Sequence, residues 1–327
     1  MTTKQIALGE YAALLAIWIG LLLLFGILGE NFLSRQTFSA LANRVPALAT
    51  VAVGMTLVLV IGAIDLSVGS VLGLCGSLFG LALVDWRLSI WPAAVLCLGC
   101  GLVAGTINGS ISVLLGIPSF IVTLGMLEIA RGLAYLTTHS QTKYIGAGVT
   151  ALSEPGRLSG LSPAFLITLS VVLAGQIILS LSVFGRQIIA IGSNQEAARL
   201  SGINPAPAKI IVFALLGFLS ALGGIFYTSR LGSADPNAGI GLELSAIAAV
   251  VIGGTSLLGG RGSVVKSFLG VLIIATLEAG LAQVGASEPA KRVITGLVIV
   301  IAVVFDAWRH KLVRPNFARP TGGMARK

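Results

Sequence analysis

Charge is scarce in this sequence: Asp, Glu, Lys and Arg make up 10% of it, hydrophobic residues make up 56%, and the mean hydropathy is +0.99. So little polar surface cannot cover a water-soluble globular domain. Cysteine is scarce too. Cys75, Cys97 and Cys100 all lie inside apolar runs, where the thiol packs as a small hydrophobe. Cys97 and Cys100 lack the second pair or histidine that a zinc site needs, and both histidines, His139 and His310, lie elsewhere, so neither a disulfide nor a metal site is expected. Enzymatic motifs are missing: there is no G-x-x-x-x-G-K-[ST] phosphate cradle, no H-E-x-x-H pair and no G-x-S-x-G elbow. Acidic residues number 12, and only Asp65 and Glu128, with Glu278 near a span end, fall at membrane depth. The chain is expected to be non-catalytic and to bind no cofactor of its own.

What the chain has is apolar runs of roughly 16 to 25 residues, the length a helix needs to cross about 30 Å of hydrocarbon. The runs are continuous and rich in Gly, Leu and Ala, whereas a membrane barrel alternates polarity over segments of about ten residues. The reading is an all-α polytopic membrane protein forming one domain over 1–327. About ten spans are predicted, at 11–29, 46–63, 68–84, 91–115, 118–138, 164–184, 208–229, 244–259, 264–284 and 292–308. Gly105 to Ser112 is polar enough to break its helix. Only Lys4 precedes the first run and no small-residue cleavage site follows it, so it reads as a retained anchor.

Basic residues in short loops are held on the cytoplasmic side. With ten spans and a cytoplasmic N-terminus, that side carries Lys4, Arg186, Arg199, Lys209, Arg261, Lys266 and a basic tail over 309–327. The outer side carries Arg35, Arg44, Arg87, Lys143, Arg157, Arg230, Lys291 and Arg292. Both termini are then cytoplasmic. Topology accounts for most of the +9 net charge, so no nucleic-acid partner is implied.

One loop stands out in so apolar a chain. Asn194 to Leu200 suits about two helical turns: Asn194 is a good N-cap, Glu196 lies in the first turn, and Gly202 can end the helix. Pro205 and Pro207 then redirect the chain into the next span. The result is a short surface helix offering Ala197, Ala198 and Leu200, suited either to a partner that pushes on the membrane domain or simply to lipid headgroups.

Four stretches resemble, in this order, the inner-membrane permease of bacterial ABC importers of the ribose, xylose, galactose and autoinducer-2 type. They are GMTLVLVIGAIDLSVGSVLGL (54–74), INGSISVLLGIPSFIVTLGM (107–126), GRQIIAIGSNQEAARLSGIN (185–204) and AAVVIGGTSLLGGRGSV (248–264). The resemblance spans roughly 40–308. It implies a permease in the bacterial cytoplasmic (inner) membrane, paired with a second copy or a paralogue, driven by cytoplasmic ABC ATPase subunits that use ATP and Mg, and fed by a periplasmic sugar-binding protein. The cytoplasmic loop 185–207 would dock on the ATPase. Its coupling helix would comprise Ser193, Asn194, Gln195, Glu196, Ala197, Ala198, Arg199, Leu200, Ser201 and Gly202, lying between the sixth and seventh spans, with Glu196 and Arg199 making the polar contacts. The outer face would include the loops 139–163 and 232–243.

A neutral, hydroxylated solute needs scattered donors and acceptors along its path rather than charges. Asn108, Ser110, Ser112, Ser119 and Thr123 supply such groups around a Gly/Pro break, although hydroxyls inside spans also bond back to their own helix. Asp65 and Ser67 suggest either an N-cap for the third span or a gate. Glu128 and Arg131, at i and i+3, suggest an internal ion pair. The glycines of 253–263 suggest close helix approach and a tight inner turn. An ion-coupled secondary transporter of a small polar solute is the alternative, and it would be expected to place ionisable residues centrally in several spans, where this chain has few.

Overall fold

The computed structural model describes residues 3–156 and 160–313. Arg157 and the tail beyond residue 313 lie outside the described residues. The helices in chain order are α1 (Thr3–Leu28), α2 (Arg35–Val60), α3 (Val68–Val84), α4 (Ile90–Leu114), α5 (Ser119–Thr138), α6 (Ala147–Thr150), α7 (Pro163–Leu181), α8 (Val183–Ser193), α9 (Gln195–Leu200), α10 (Pro205–Leu231), α11 (Leu242–Ile252), α12 (Val264–Gln283) and α13 (Glu288–Val313). Two-residue strands β1 (Lys143–Tyr144) and β2 (Ser233–Ala234) pair antiparallel and fasten two loops together at one end of the bundle. Among the described residues seven helices are long and apolar enough to cross a membrane, which makes this an all-α, multi-pass membrane protein.

Every predicted span falls on a helix, with three corrections. The second helix begins at Arg35, upstream of Pro46, because the Ser34 hydroxyl caps it by accepting the Thr37 N–H at 3.2 Å. The eighth stops at Ile252, and the remaining residues form a glycine-rich turn with Gly254, Gly259 and Gly260 at positive φ. The fourth runs unbroken through Gly105 to Ser112. Its glycines serve close packing instead: a Cβ at Gly105 would meet the Phe213 carbonyl, and one at Gly109 would meet Ile210.

α2 and α10 form the buried central pair, running antiparallel: Gly54 of α2 abuts Leu216, and Gly223 of α10 abuts Ala47. α4 packs along α10, and α12 packs along α2, where Thr56 Oγ1 donates to Ser267 Oγ at 2.8 Å and Arg44 reaches Glu278 at 2.7 Å. α3 lies against α5, and α11 against α13. The helices α2–α5 and α10–α13 are thus two inverted repeats, each beginning with a long helix, a non-helical connection and a short helix.

The connections lie inside the bundle. Gly80 sits against Ala234 near the β1–β2 end, so the start of α3, eleven residues earlier at 1.5 Å each, lies roughly 16 Å deeper. There Gly69 meets the Gly239 carbonyl and the Glu243 carboxylate at the start of α11. Segment 61–67 climbs from one end to this depth, and segment 232–241 descends to it from the other. Two half-length helices thus place their N-termini together near mid-depth.

The α4–α10 crossing makes the first prediction. Gly217→Val drives a branched side chain into the backbone of Gly101 and Gly105 and is expected to cost about 1–3 kcal/mol. Gly99→Ala, whose Cβ enters open space, leaves stability unchanged. Thermal unfolding of the purified chain in detergent reads both.

Candidate functional site

Segment 61–67 has left the helix yet is largely buried, so its backbone groups need partners away from water. The Gly62 and Ala63 N–H groups bond back to Leu59 and Val58 of α2 at 2.9 and 3.0 Å. Next in line, the Ile64 N–H donates to Ser119 Oγ and the Leu66 N–H to Thr123 Oγ1, both at 3.1 Å. Ser119 and Thr123 stand one turn apart on α5, and the two N–H groups stand one extended repeat apart, so the spacings match. On the other side, Asp65 Oδ1 accepts from the Ser67 N–H at 2.7 Å and the Ser67 hydroxyl at 2.6 Å. Asn108 Nδ2, from α4, donates to Asp65 Oδ2 at 3.3 Å and to Ser67 Oγ at 3.0 Å.

The five residues singled out in sequence as path or gate, Asp65, Ser67, Asn108, Ser119 and Thr123, therefore converge on one break. All five take part in the hydrogen bonds that hold it. The helix-cap reading of Asp65 is corrected: Ser67 occupies the N-cap position, and the carboxylate closes a two-residue turn before it. Asp65 is 2% exposed, and three donors offset the cost of burying it. Asn108 Oδ1 is buried with no hydrogen-bond partner among the described residues.

The second break, 232–241, is held differently. Arg131 Nη1 donates to the Pro236 and Ala238 carbonyls at 2.6 and 2.9 Å, and Tyr135 Oη to Asn237 Oδ1 at 2.8 Å. Arg131 thus braces the loop across from its helix instead of pairing with Glu128, because open carbonyls lie within its reach. Glu243 Oε1 accepts the Gly241 N–H at 3.2 Å, so each half-helix start carries its own carboxylate.

The surface helix forms as its sequence predicts, over α9: Asn194 caps it by accepting the Ala197 N–H at 3.0 Å, and Gly202 ends it at φ +84°. Leu200 is 83% exposed, and Glu196, Ala197 and Arg199 are exposed as well. Ala198 is not available for contact: at 5% exposure it packs into the main core and anchors α9 to the bundle. Ser193 belongs to α8. Just before it, Gly192 lies where any Cβ would overlap the Val60 carbonyl, and that same carbonyl accepts the Gly260 N–H at 2.8 Å. The end of α8, the end of α2 and the 253–263 turn therefore meet backbone to backbone directly below α9.

A cavity opens at each end. The one at the α9 end, about 890 Å³, runs from Gln195, Arg199 and Lys209 to Gly62, Ile64 and Ser119. The one at the β1–β2 end, about 640 Å³, runs from Arg44, Arg230 and Glu278 to Gly241 at the start of α11. Each lies between the start of one central helix and the connection leaving the other, so the inverted repeat relates the two. Sequence reasoning missed Gly192, Lys209, Glu243 and the Arg44–Glu278 pair. The first three sit in ordinary local contexts, and only the fold makes them neighbours of the breaks.

Half-helices opposed at mid-depth with a cavity above and below them define a membrane transport protein. The chain belongs to the family described as branched-chain amino acid transport system / permease component, whose model matches residues 37–303. It is 36% identical over 308 residues to the autoinducer 2 import system permease protein LsrC of Yersinia pestis (strain Pestoides F), covering 94% of this chain and 87% of that one. To the ribose import permease protein RbsC of Escherichia coli (strain K12) it is 37% identical over 303 residues, covering 91% and 93%. No solved structure matches. The chain is a transport permease rather than a catalyst, acts within an importer complex, and is not the ion-coupled alternative.

Removing an acceptor from the first break should be costly. Thr123→Val leaves the Leu66 N–H buried and unpaired and is expected to destabilise the chain by about 1–3 kcal/mol, whereas Thr123→Ser keeps the acceptor and most of the stability. Thermal midpoints in detergent compare the two.

Proposed function

We propose that this chain is the membrane permease of an ATP-driven importer for a monosaccharide or related polyol. Relatives named for ribose and autoinducer 2 import support the solute class. The observation that carries the mechanism is the tie between α9 and the first break. α9 is exposed on one side and anchored by Ala198 on the other, and Gly192, two residues before its cap, bears on Val60, where the break begins.

In this reading cytoplasmic ABC ATPase subunits grip α9 through Glu196 and Arg199 and use ATP and Mg. Their closure displaces α8 and α9 as one piece. The backbone junction passes that displacement to segment 61–67, while α10, which begins three residues after Gly202, is pulled at its start. A sugar delivered by a periplasmic binding protein enters the cavity lined by Arg44, Asn237, Thr295 and Glu278, whose charged and amide groups match hydroxyls, and leaves through the cavity beneath α9. The α9 end is then cytoplasmic, as are both termini, in the inner membrane. A second copy or a paralogue completes the permease.

Reconstituted complex tests the reading. Glu196→Lys and Arg199→Glu reverse exposed charges and leave the bundle intact, and each is expected to lower binding-protein-stimulated ATPase activity by about tenfold or more. Wild-type stimulation in both variants would mean that α9 only rests on headgroups.

A further inference from the structure

The two cavities share one architecture but not one charge balance. At the β1–β2 end, Arg44, Arg230, Lys291 and Arg292 line the cavity with Glu278 and Glu288, and Arg44–Glu278 and Lys291–Glu288 pair at 2.7 and 3.1 Å. At the α9 end, Arg199 and Lys209 line the cavity with no carboxylate among the lining residues. Lys209 is half-buried and donates to a neutral acceptor, Gln195 Oε1, at 2.6 Å. It lies in the first turns of α10, a 27-residue helix whose positive end adds to the same field. The helix offers few free amides there: Pro205 and Pro207 have none, and the Ala206 N–H is taken by Asn204 Oδ1 at 3.1 Å. Any anion in this cavity is therefore held by the two cationic side chains, with Ser112, Ser119 and Asn204 able to meet hydroxyls.

A neutral sugar passing through has no use for a half-buried ammonium that meets no carboxylate among the described residues, and such a group carries a desolvation cost. A sugar phosphate removes it and fits the volume. We propose that the cavity beneath α9 binds a phosphate monoester of a sugar, the class of compound made when a kinase consumes the imported solute. This rests on the reading of the α9 end as cytoplasmic. Bound there, the phosphate is held by Lys209 of α10, with Arg199 of α9 shared between it and the ATPase, while the sugar lies against Gly62 and Ser119. It wedges the surface helix against the break, so accumulated product slows further import.

The test is binding to the full chain in nanodiscs, alone and with its ATPase attached, read by calorimetry with a pentose 5-phosphate, inorganic phosphate and the free pentose. The pentose 5-phosphate is expected to bind and the free pentose not. Lys209→Gln should weaken binding by about tenfold or more, Lys209→Arg should restore it, and raised salt should weaken it. The readout needs no turnover, so a permease that fails to couple can still pass it. Absence of binding in zwitterionic discs, or binding indifferent to Lys209→Gln, would overturn the proposal. A Lys209-dependent stabilisation that appears only in anionic discs would assign the site to a lipid headgroup, and loss of binding when the ATPase is attached would assign it to acidic groups of that partner. Either result overturns it too.

Discussion

The structure depends on one electrostatic and steric constraint: two helix N-termini that meet near mid-depth. Each carries partial positive charge and unpaired N–H groups, and face to face in a poorly polarisable interior they repel. Asp65 and Glu243 offset this, one at each start. The glycines at the contact, Gly69 and Gly239, let the chains come within backbone distance. From that meeting follow the two non-helical connections, and from the connections follow the polar groups buried around them. Ser119, Thr123 and Asn108 answer the first break, Arg131 and Tyr135 the second.

The same economy governs the link to the surface. The end of α8, just before α9, reaches the first break through the backbone of Gly192, Val60 and Gly260. A side-chain contact can yield by changing rotamer, but touching backbones cannot, so a displacement at one is felt at the others. Ala198, buried under α9, keeps the short helix from sliding free of the bundle.

Much of this was legible in the sequence, and the boundary is instructive. Hydropathy located the helices because apolar length is a one-dimensional signal. The surface helix was legible because Asn194, Glu196 and Gly202 carry their cap chemistry locally. The five residues of the first break were legible as anomalies, polar groups in apolar runs, but the backbone they bond to was not. Whether a hydroxyl lines a path or accepts an N–H depends on a strand of backbone 55 residues away in sequence for Ser119 and 57 for Thr123.

The inverted repeat has an energetic corollary. If the two halves exchange shapes, the fold that opened one end opens the other, with the same helices, breaks and packing counted again in reverse. The two openings are then close in energy, and the gap between them is set by whatever the repeat does not relate: α1 and α6–α9, and the charges at the mouths, Lys209 and Arg199 at one, Glu278 and Glu288 with their cationic partners at the other. A near-degenerate pair of states needs a bias of only a few kcal/mol to change its preferred member. Charge at the rims thus works as the fine adjustment of a balance whose coarse weights cancel by symmetry.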